Sequence, residues 1–355
     1  MITAPATRLL HAASSLKTIH GRTVTYRTNT PEVAELLENV ERMAGHDVTL
    51  LLVGETGTGK TTLARLIHEL SPRHPSRLLT VACGAMPRDL IETEIFGHVK
   101  GAFTSAERSK IGKFEAAEDG TLLLDEIDVL GPAQQVKLLR VIETGEFEPV
   151  GCNTTRHSRA RLIVASNVNL KTLVDRNEFR ADLYYRLNML EFRIPPLRER
   201  VRDIVPLALG FVEELCQAHE VGVHRIHPEF LDCLKRYSWP GNIRELKNYI
   251  RRAILFCRSG ELTPDDLAPH LIEAIARKPD AECPSPAGHP GEHAPLTERV
   301  AHSERAMLEE ALRKHNNNRT ATASALGLSR VGLYKKLKRH GMVHWTAPQN
   351  AAEHV

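Results

Sequence analysis

The sequence predicts an α/β domain built on a parallel sheet, then a helical subdomain, then a small all-α C-terminal unit. Three stretches carry that prediction. The apolar run Val48–Val53 enters Gly54-Glu55-Thr56-Gly57-Thr58-Gly59-Lys60-Thr61, and Thr62–His68 follows with helical spacing. A second apolar run, Gly120–Leu124, ends in Asp125 and Glu126. Leu312–His340 holds eight Lys/Arg and no Asp/Glu, beyond a segment with five prolines and two glycines between Pro279 and Pro295. Parallel strands covered on both faces read as continuous apolar runs. A basic helical block beyond a breaker-rich linker reads as a separate unit.

Bulk properties set the limits. A chain of 355 residues has room for two or three domains. Its 42% hydrophobic and 26% charged residues are ordinary for a globular protein. No apolar run reaches the roughly 18 residues that cross a bilayer, and the N-terminus lacks a signal-peptide core. A cytoplasmic protein with no membrane contact is expected. Cys83, Cys152, Cys216, Cys233, Cys257 and Cys283 form no C-x-x-C pair, which argues against a disulfide framework. Cys216, His219, His224 and His227 are spaced as metal ligands can be, in a polar stretch where histidines are usually solvated. Removing the eight charges of the basic block from the net +3 leaves −5 on the rest of the chain, so a nucleic-acid contact is expected at one end.

Met1–Thr30 shows no strong periodicity. Pro31–Met43 reads as a helix through Val33, Leu36, Leu37 and Val40. The glycine-rich stretch lets backbone N–H groups wrap a phosphate chain at a helix N-terminus. Gly54 to Thr61, with Thr62, are the expected nucleotide contacts. Lys60 would neutralise the β- and γ-phosphates, and the Thr61 hydroxyl would ligate Mg²⁺. Leu78–Val81 is a second strand and Pro87–Phe96 a helix. Gly97–Ala106 fits neither period and reads as a loop, with Phe103 either tucked into the core or held out as a contact. At the end of the next strand, Asp125 would hold Mg²⁺ and Glu126 would polarise the attacking water. Arg161–Asn167 is a buried strand whose exit places Asn167 for a γ-phosphate or that water.

Phe179–Leu187 is helical in pattern, and its Arg180 and Arg186 are six residues apart, off a common stripe. Helices over Asp203–Ala218, Pro228–Tyr237 and Ile243–Cys257 form the helical subdomain. Beyond the linker, helices are expected over Glu304–His315, Arg319–Leu326 and Ser329–His340, with Leu333 and Leu337 inward. The last two, joined at Gly327-Leu328, read as a helix-turn-helix. Ser329 caps its second helix, and Gly332 permits a close approach to DNA or is merely tolerated. Arg330, Tyr334 and Lys335 are candidates for base edges; Lys336, Lys338 and Arg339 are candidates for phosphates.

Taken together, these motifs resemble the AAA+ activators of sigma-54 RNA polymerase, the bacterial enhancer-binding proteins. The resemblance rests on Gly54–Lys60, Leu124–Ile127, Gly101–Thr104, Phe179–Leu183, Pro195–Arg200 and Trp239–Leu246, and on a Fis-type helix-turn-helix over Glu304–Met342. It implies an ATPase that takes ATP and Mg²⁺, binds upstream activator DNA and remodels closed promoter complexes to open ones. It implies a homo-hexamer, with a dimer as resting state, in which Arg180 and Arg186 are arginine fingers toward a neighbouring subunit. Asn167 falls in the first-sensor region and Arg244 is the second sensor. The loop Gly101, Ala102, Phe103, Thr104, Ser105 and Ala106 would touch sigma-54. The implied domains are a short segment over 1–28, an ATPase subdomain over 29–200, a lid over 201–273, a linker over 274–299, a DNA-binding domain over 300–343 and a tail over 344–355.

Two positions depart from the family pattern. Ser105 stands where the signature loop has a second Gly, and serine meets a steric cost wherever φ must be positive. Ala82 stands where an Asn usually restrains the catalytic glutamate, so Glu126 is either less restrained or held by another group. With about 28 residues ahead of the ATPase homology, control by a separate regulatory protein or by expression level is expected. The competing reading is a DNA-binding AAA+ regulator that no longer engages sigma-54. A P-loop metabolic kinase would leave the basic block unused.

Overall fold

The computed structural model describes residues 16–104, 106–257 and 259–276, together with Leu312, Asn318, Arg319, Thr322, Ala323, Leu333 and Leu337. The chain divides into two units, Met1–Arg277 and Lys278–Val355.

The first unit opens with an antiparallel hairpin of β1 (Lys17–His20) and β2 (Thr25–Thr28). Then follow α1 (Pro31–Ala44), β3 (Leu50–Val53), α2 (Lys60–Leu70), β4 (Leu78–Ala82) and α3 (Arg88–Phe96). The short β5 (Gly97–His98) pairs antiparallel with β6 (Lys110–Ile111). Next come α4 (Lys113–Ala116), β7 (Thr121–Asp125), α5 (Pro132–Thr144), and the pair β8 (Glu146–Phe147) and β9 (Arg156–His157). β10 (Arg161–Ser166), α6 (Leu170–Asp175), α7 (Ala181–Leu187) and β11 (Glu191–Arg193) complete the α/β part. The helical part holds α8 (Val201–His219), β12 (Arg225–Ile226), α9 (Pro228–Arg236), α10 (Asn242–Phe256), β13 (Glu261–Leu262) and α11 (Pro269–Ala276).

The main sheet has the order β11-β3-β10-β7-β4, and every pairing is parallel. Its central strands β3, β10 and β7 are buried on both faces, and their side chains alternate between two cores. Leu51, Val53, Leu122, Leu124 and Val164 pack with Phe96, Phe114 and Phe147 on one face. Leu50, Leu52, Leu123, Ile163 and Ala165 pack with α1 and α2 on the other. That two-sided burial explains the continuous apolar runs in the sequence. The parallel register brings the carboxyl ends of β3, β10 and β7 to one edge, where such sheets bind ligands.

The helical part has its own core around Trp239, which is fully buried. The Trp239 indole Nε1 donates to the Leu234 carbonyl at 2.8 Å. Tyr237 and Tyr249 meet the ring edge-on at 5.0 and 5.6 Å.

Residues 17–28, where the sequence shows no strong periodicity, form a hairpin; β2 alternates exposed and buried residues, and Ile19 and Tyr26 join the core. Two local expectations need correction. Gly97–Ala106 is not wholly loop, because Gly97 and His98 are the first strand of a second hairpin. Arg180 caps α7 from outside the helix rather than lying within it.

In the second unit Leu312, Ala323, Leu333 and Leu337 are helical, buried and clustered. They come from the three expected helices in turn, and Leu333 and Leu337 do face inward. Thr322 is buried too, with its hydroxyl donating to the Asn318 carbonyl at 2.9 Å.

Candidate functional site

The loop between β3 and α2 turns sharply enough to need glycine. Gly57 has φ +81°, and a Cβ there would lie 2.4 Å from the Gly241 carbonyl oxygen. Each of the loop's carbonyls has a hydrogen-bond donor. Lys60 Nζ donates to the Gly54 and Glu55 carbonyls at 2.7 and 3.1 Å. The Thr56 carbonyl accepts from Asn242 Nδ2 at 3.1 Å, and the Gly57 carbonyl from the Ile243 amide at 3.0 Å. The Thr58 carbonyl accepts from Arg200 Nη2 at 2.7 Å, and the Gly59 carbonyl from the Leu63 amide at 2.9 Å. The amides of Thr56, Gly57 and Gly59 have no acceptor among the described residues. A loop whose carbonyls are already paired and whose amides are free is an anion cradle.

Lys60 is 5% exposed, and burial pushes its pKa down while Asp125, Asp128 and Glu126 oppose that shift. Its ammonium also donates to Asn167 Oδ1 at 2.7 Å. Asn167 Nδ2 in turn donates to Glu126 Oε1 at 3.0 Å. One amide therefore bridges the lysine and the carboxylate across the ends of β3, β10 and β7. Glu126 sits in left-handed backbone at φ +59°, strained for a non-glycine residue. Its other oxygen lies against Gly84, where a Cβ would come within 1.7 Å. So Asn167, not residue 82, restrains the glutamate; Ala82 is exposed and pairs in register with Asp125. Burial pushes the neighbouring Cys83 thiol up to about 12, which keeps it protonated and unreactive.

Thr61 Oγ1 donates to Asp125 Oδ2 at 3.2 Å. A hydroxyl beside a carboxylate is the hard oxygen donor set that Mg²⁺ takes, so these two residues fit it.

A cavity of about 380 Å³ joins these groups. Among its walls are Thr56, Gly57, Gly59, Lys60, Thr61, Thr62, Asp125, Glu126, Asn167 and Arg244, as the sequence leads one to expect. Sequence reasoning missed two other walls. Thr25, Tyr26 and Arg27 come from the unforeseen hairpin, and Leu207, Phe211, Ile243 and Lys247 from α8 and α10. It also missed Arg200, which is 1% exposed and bonds Tyr26 Oη at 3.1 Å as well as the Thr58 carbonyl. Asp128 was missed as well; its Oδ1 accepts from Ser166 Oγ and the Asn167 amide at 2.8 and 3.1 Å. A signal for Asp128 was present, since it stands three residues after Asp125 at the same strand end.

Glu55 turns away from the cavity. Arg198 binds its carboxylate with two bonds of 2.9 and 2.7 Å and holds its pKa down. Gly54 and Thr58 likewise shape the loop without lining the cavity.

Arg180 and Arg186 are not brought to this cavity. Both are exposed. Arg180 makes a two-bond ion pair with Asp182 at 3.0 and 2.6 Å, and Arg186 has no partner among the described residues.

Of the signature loop, Gly101–Thr104 and Ala106 lie between β5 and β6. The Gly101 amide donates to the Ala106 carbonyl, and the Ala106 amide to the Phe103 carbonyl, each at 2.9 Å. Phe103 is half-buried with its ring 4.9 Å from that of His98, while Thr104 is exposed. Phe103 thus rests on its own hairpin and joins neither sheet core. The base of the hairpin is tied to Val150 by bonds to Gly97 and Val99.

Ser105 lies outside the described residues, as do Ser329, Arg330, Gly332, Tyr334, Lys335, Lys336, Lys338 and Arg339. Among the described residues, no group of three or more His, Cys, Asp or Glu is placed to hold a metal ion. His227 instead caps α9, accepting from the Glu229 amide. No described helix is long and apolar enough to cross a membrane.

A phosphate cradle at the carboxyl edge of a parallel sheet, closed over by a separate helical part, defines a P-loop nucleotide-binding domain with a lid. Comparison with known proteins narrows the class. The Sigma-54 interaction domain family matches residues 26–193, the AAA+ ATPase lid domain 198–283, and the Bacterial regulatory protein, Fis family 299–340. The regulatory protein AtoC of Escherichia coli is 37% identical over 335 residues, covering 94% of this chain and 71% of that protein. The sigma54-dependent transcriptional regulator SfnR of Pseudomonas fluorescens is 41% identical over 313 residues, covering 84% of each. The Nif-specific regulatory protein of Azospirillum brasilense is 45% identical over 67% of this chain. The chain spans 62% of the Aeromonas hydrophila regulator NorR and 38% of the Azospirillum protein. Among solved structures, NtrX from Brucella abortus in complex with ATP superposes with a TM-score of 0.63 at 28% identity, covering 91% of this chain and 70% of that one. The chain belongs to the family of sigma-54-dependent transcriptional regulators, with an AAA+ ATPase domain, its lid and a Fis-type helix-turn-helix.

Proposed function

We propose that the chain hydrolyses ATP and spends that energy remodelling sigma-54 RNA polymerase from closed to open promoter complexes, while its C-terminal unit holds upstream DNA. The bridge Lys60–Asn167–Glu126 beside the free loop amides carries this reading. In this reading one sensing amide holds both the cation for the phosphates and the carboxylate for the attacking water. Thr61 and Asp125 would hold Mg²⁺, which supplies charge neutralisation on the phosphates. Glu126 orients water and takes its proton once Asn167 lets go. Leu207, Phe211 and Ile243 give the cavity an apolar side suited to a base, and Arg244 reaches in from the lid.

Arg180 and Arg186, exposed and away from their own cavity, are read as fingers for the site of a neighbouring copy. That requires a ring, with a hexamer as the active state and a dimer at rest. Gly101–Ala106 would carry the output to sigma-54. Residues 29–200 would act as ATPase subdomain, 201–273 as lid, 274–299 as linker and 300–343 as DNA-binding unit. The protein would work in the cytoplasm under a separate regulatory protein or expression control.

Hydrolysis measured against protein concentration tests this reading. Turnover per chain should rise with concentration, need Mg²⁺, and vanish in Lys60→Ala. No hydrolysis at high concentration with the specific DNA present would overturn it.

One observation favours a second reading, a DNA-binding regulator without sigma-54 output. Phe103 is folded onto His98 rather than displayed. A wild-type ATPase that never captures sigma-54 would select that reading.

A further inference from the structure

Asn242 is fully buried and uses its whole side-chain amide. Its Oδ1 accepts from the Leu197 amide at 2.7 Å, which fixes the orientation of the group. Its Nδ2 donates to the Thr56 carbonyl at 3.1 Å and to Glu55 Oε2 at 3.2 Å. The backbone is left-handed at φ +51°, a conformation that asparagine tolerates better than most residues.

Three parts of the molecule meet on this side chain. Leu197 and Arg198 belong to the segment between β11, the last strand of the sheet, and α8, the first helix of the lid. Asn242 begins α10, which carries Arg244 two residues on. Glu55 and Thr56 belong to the phosphate loop. Arg198 locks the Glu55 carboxylate beside the Asn242 amide. Asn242, Ile243 and Arg200 together hold the carbonyls of Thr56, Gly57 and Thr58. A peptide unit is planar, so turning a loop amide toward a phosphate turns the preceding carbonyl with it. Filling the loop therefore pulls on the lid through these bonds.

We propose that Asn242 is a positioning residue that transmits occupancy of the phosphate loop to the lid, and so sets where Arg244 stands over the nucleotide. This rests on the reading that the cavity binds nucleotide. The effect is mechanical: a lid held by Asn242 moves when the loop amides close on phosphate, and a lid without it does not.

Trp239, three residues earlier in the same turn, is a built-in reporter. In full-length protein carrying Trp345→Phe it is the sole tryptophan, since the chain has two. Its fluorescence on titration with ADP and Mg²⁺ reads lid response without hydrolysis. Asn242→Gly keeps the left-handed backbone and deletes the amide. Asn242→Asp keeps the shape but replaces the donor with a carboxylate facing Glu55. Both variants should bind ADP within about threefold of wild type by calorimetry, lose the Trp239 response, and lose at least about tenfold in kcat with KM for ATP little changed. The proposal fails if wild type binds ADP without a Trp239 change. It fails if either variant keeps the response and the turnover. It also fails if ADP affinity, kcat and Tm all fall together, which is the signature of a merely structural residue. Should wild type bind ADP but not split ATP, the hydrolysis reading falls while the fluorescence arm still decides this one.

Discussion

Asn167 Nδ2 lies 3.0 Å from Glu126 Oε1, while Oδ1 of the same amide accepts from Lys60 Nζ at 2.7 Å. The carboxylate proposed to activate water is thus tethered to the residue proposed to sense the phosphate. Ala82 cannot supply such a tether, so release of Glu126 depends on Asn167 alone among the described residues. Asn167→Ala should cut turnover by roughly 10- to 100-fold while ATP binding stays within about threefold, because Lys60 keeps its charge and its bonds to the Gly54 and Glu55 carbonyls whereas Glu126 loses the amide that positions it. Steady-state kinetics with a separate binding measurement check this; an unchanged kcat would contradict it.

Glu126→Ala should bind ATP and hold it. Removing a positioned general base costs typically about 10²–10⁴ in rate and leaves the cradle of loop amides and Lys60 intact. A binding titration beside a phosphate-release assay reads both. Loss of binding together with loss of turnover would show that Glu126 holds the nucleotide rather than acting on it.

Arg180 and Arg186 lie outside the cavity of their own chain. Either residue changed to Ala should flatten the rise of turnover with protein concentration and lower the plateau by about 10³-fold or more, as expected of an arginine supplied from another subunit. Mixing Arg186→Ala with Glu126→Ala protein should restore part of the activity, since each chain then supplies what its neighbour lacks. Complete inactivity of the mixture over the whole range of mixing ratios would contradict a shared site.

The Arg198–Glu55 pair gives a pH signature. Hydrogen bonding from Arg198 holds the Glu55 carboxyl below its ordinary 4.5, so the folded state prefers the charged form. The stability this contributes is present above 4.5 and is lost as pH falls through the depressed folded value. Both side chains are about half exposed, so solvent limits the pair to at most about 1 kcal/mol. Wild type and Glu55→Gln should differ in urea stability at neutral pH and converge in acid. A gap that stays constant with pH would mean the carboxylate charge is irrelevant.

The hairpin tip should separate from the chemistry. Phe103→Ala removes a ring that meets His98 and belongs to neither sheet core, so ATP turnover should stay within about twofold while sigma-54 capture is lost. Equal loss of both activities would place Phe103 in the fold rather than in the output.

Much of this arrangement was legible from residue order. The strand, the glycine loop and the helix from Val48 to His68 share one local grammar, and Asp125 and Asn167 stand at the ends of apolar runs that can only be buried strands. What escaped was long-range. Tyr26 joins Arg200 across 174 positions, and Asn242 joins Thr56 across 186, with no periodicity to announce either contact. β1 and β2 have four residues each, too short for alternation to stand out from the surrounding threonines. Asn242 and Arg200 sit inside motifs whose neighbours, Arg244 and Arg198, are the more conspicuous charges.

Capture of sigma-54 tests the central claim most directly. Purified chain would be mixed with sigma-54 and ADP plus aluminium fluoride, which mimics the transferring phosphoryl group, and passed over a sizing column. A stable complex is expected with the mimic and not with ADP alone, and Phe103→Ala should fail to form it. A chain that splits ATP yet shows no complex under either condition would contradict it.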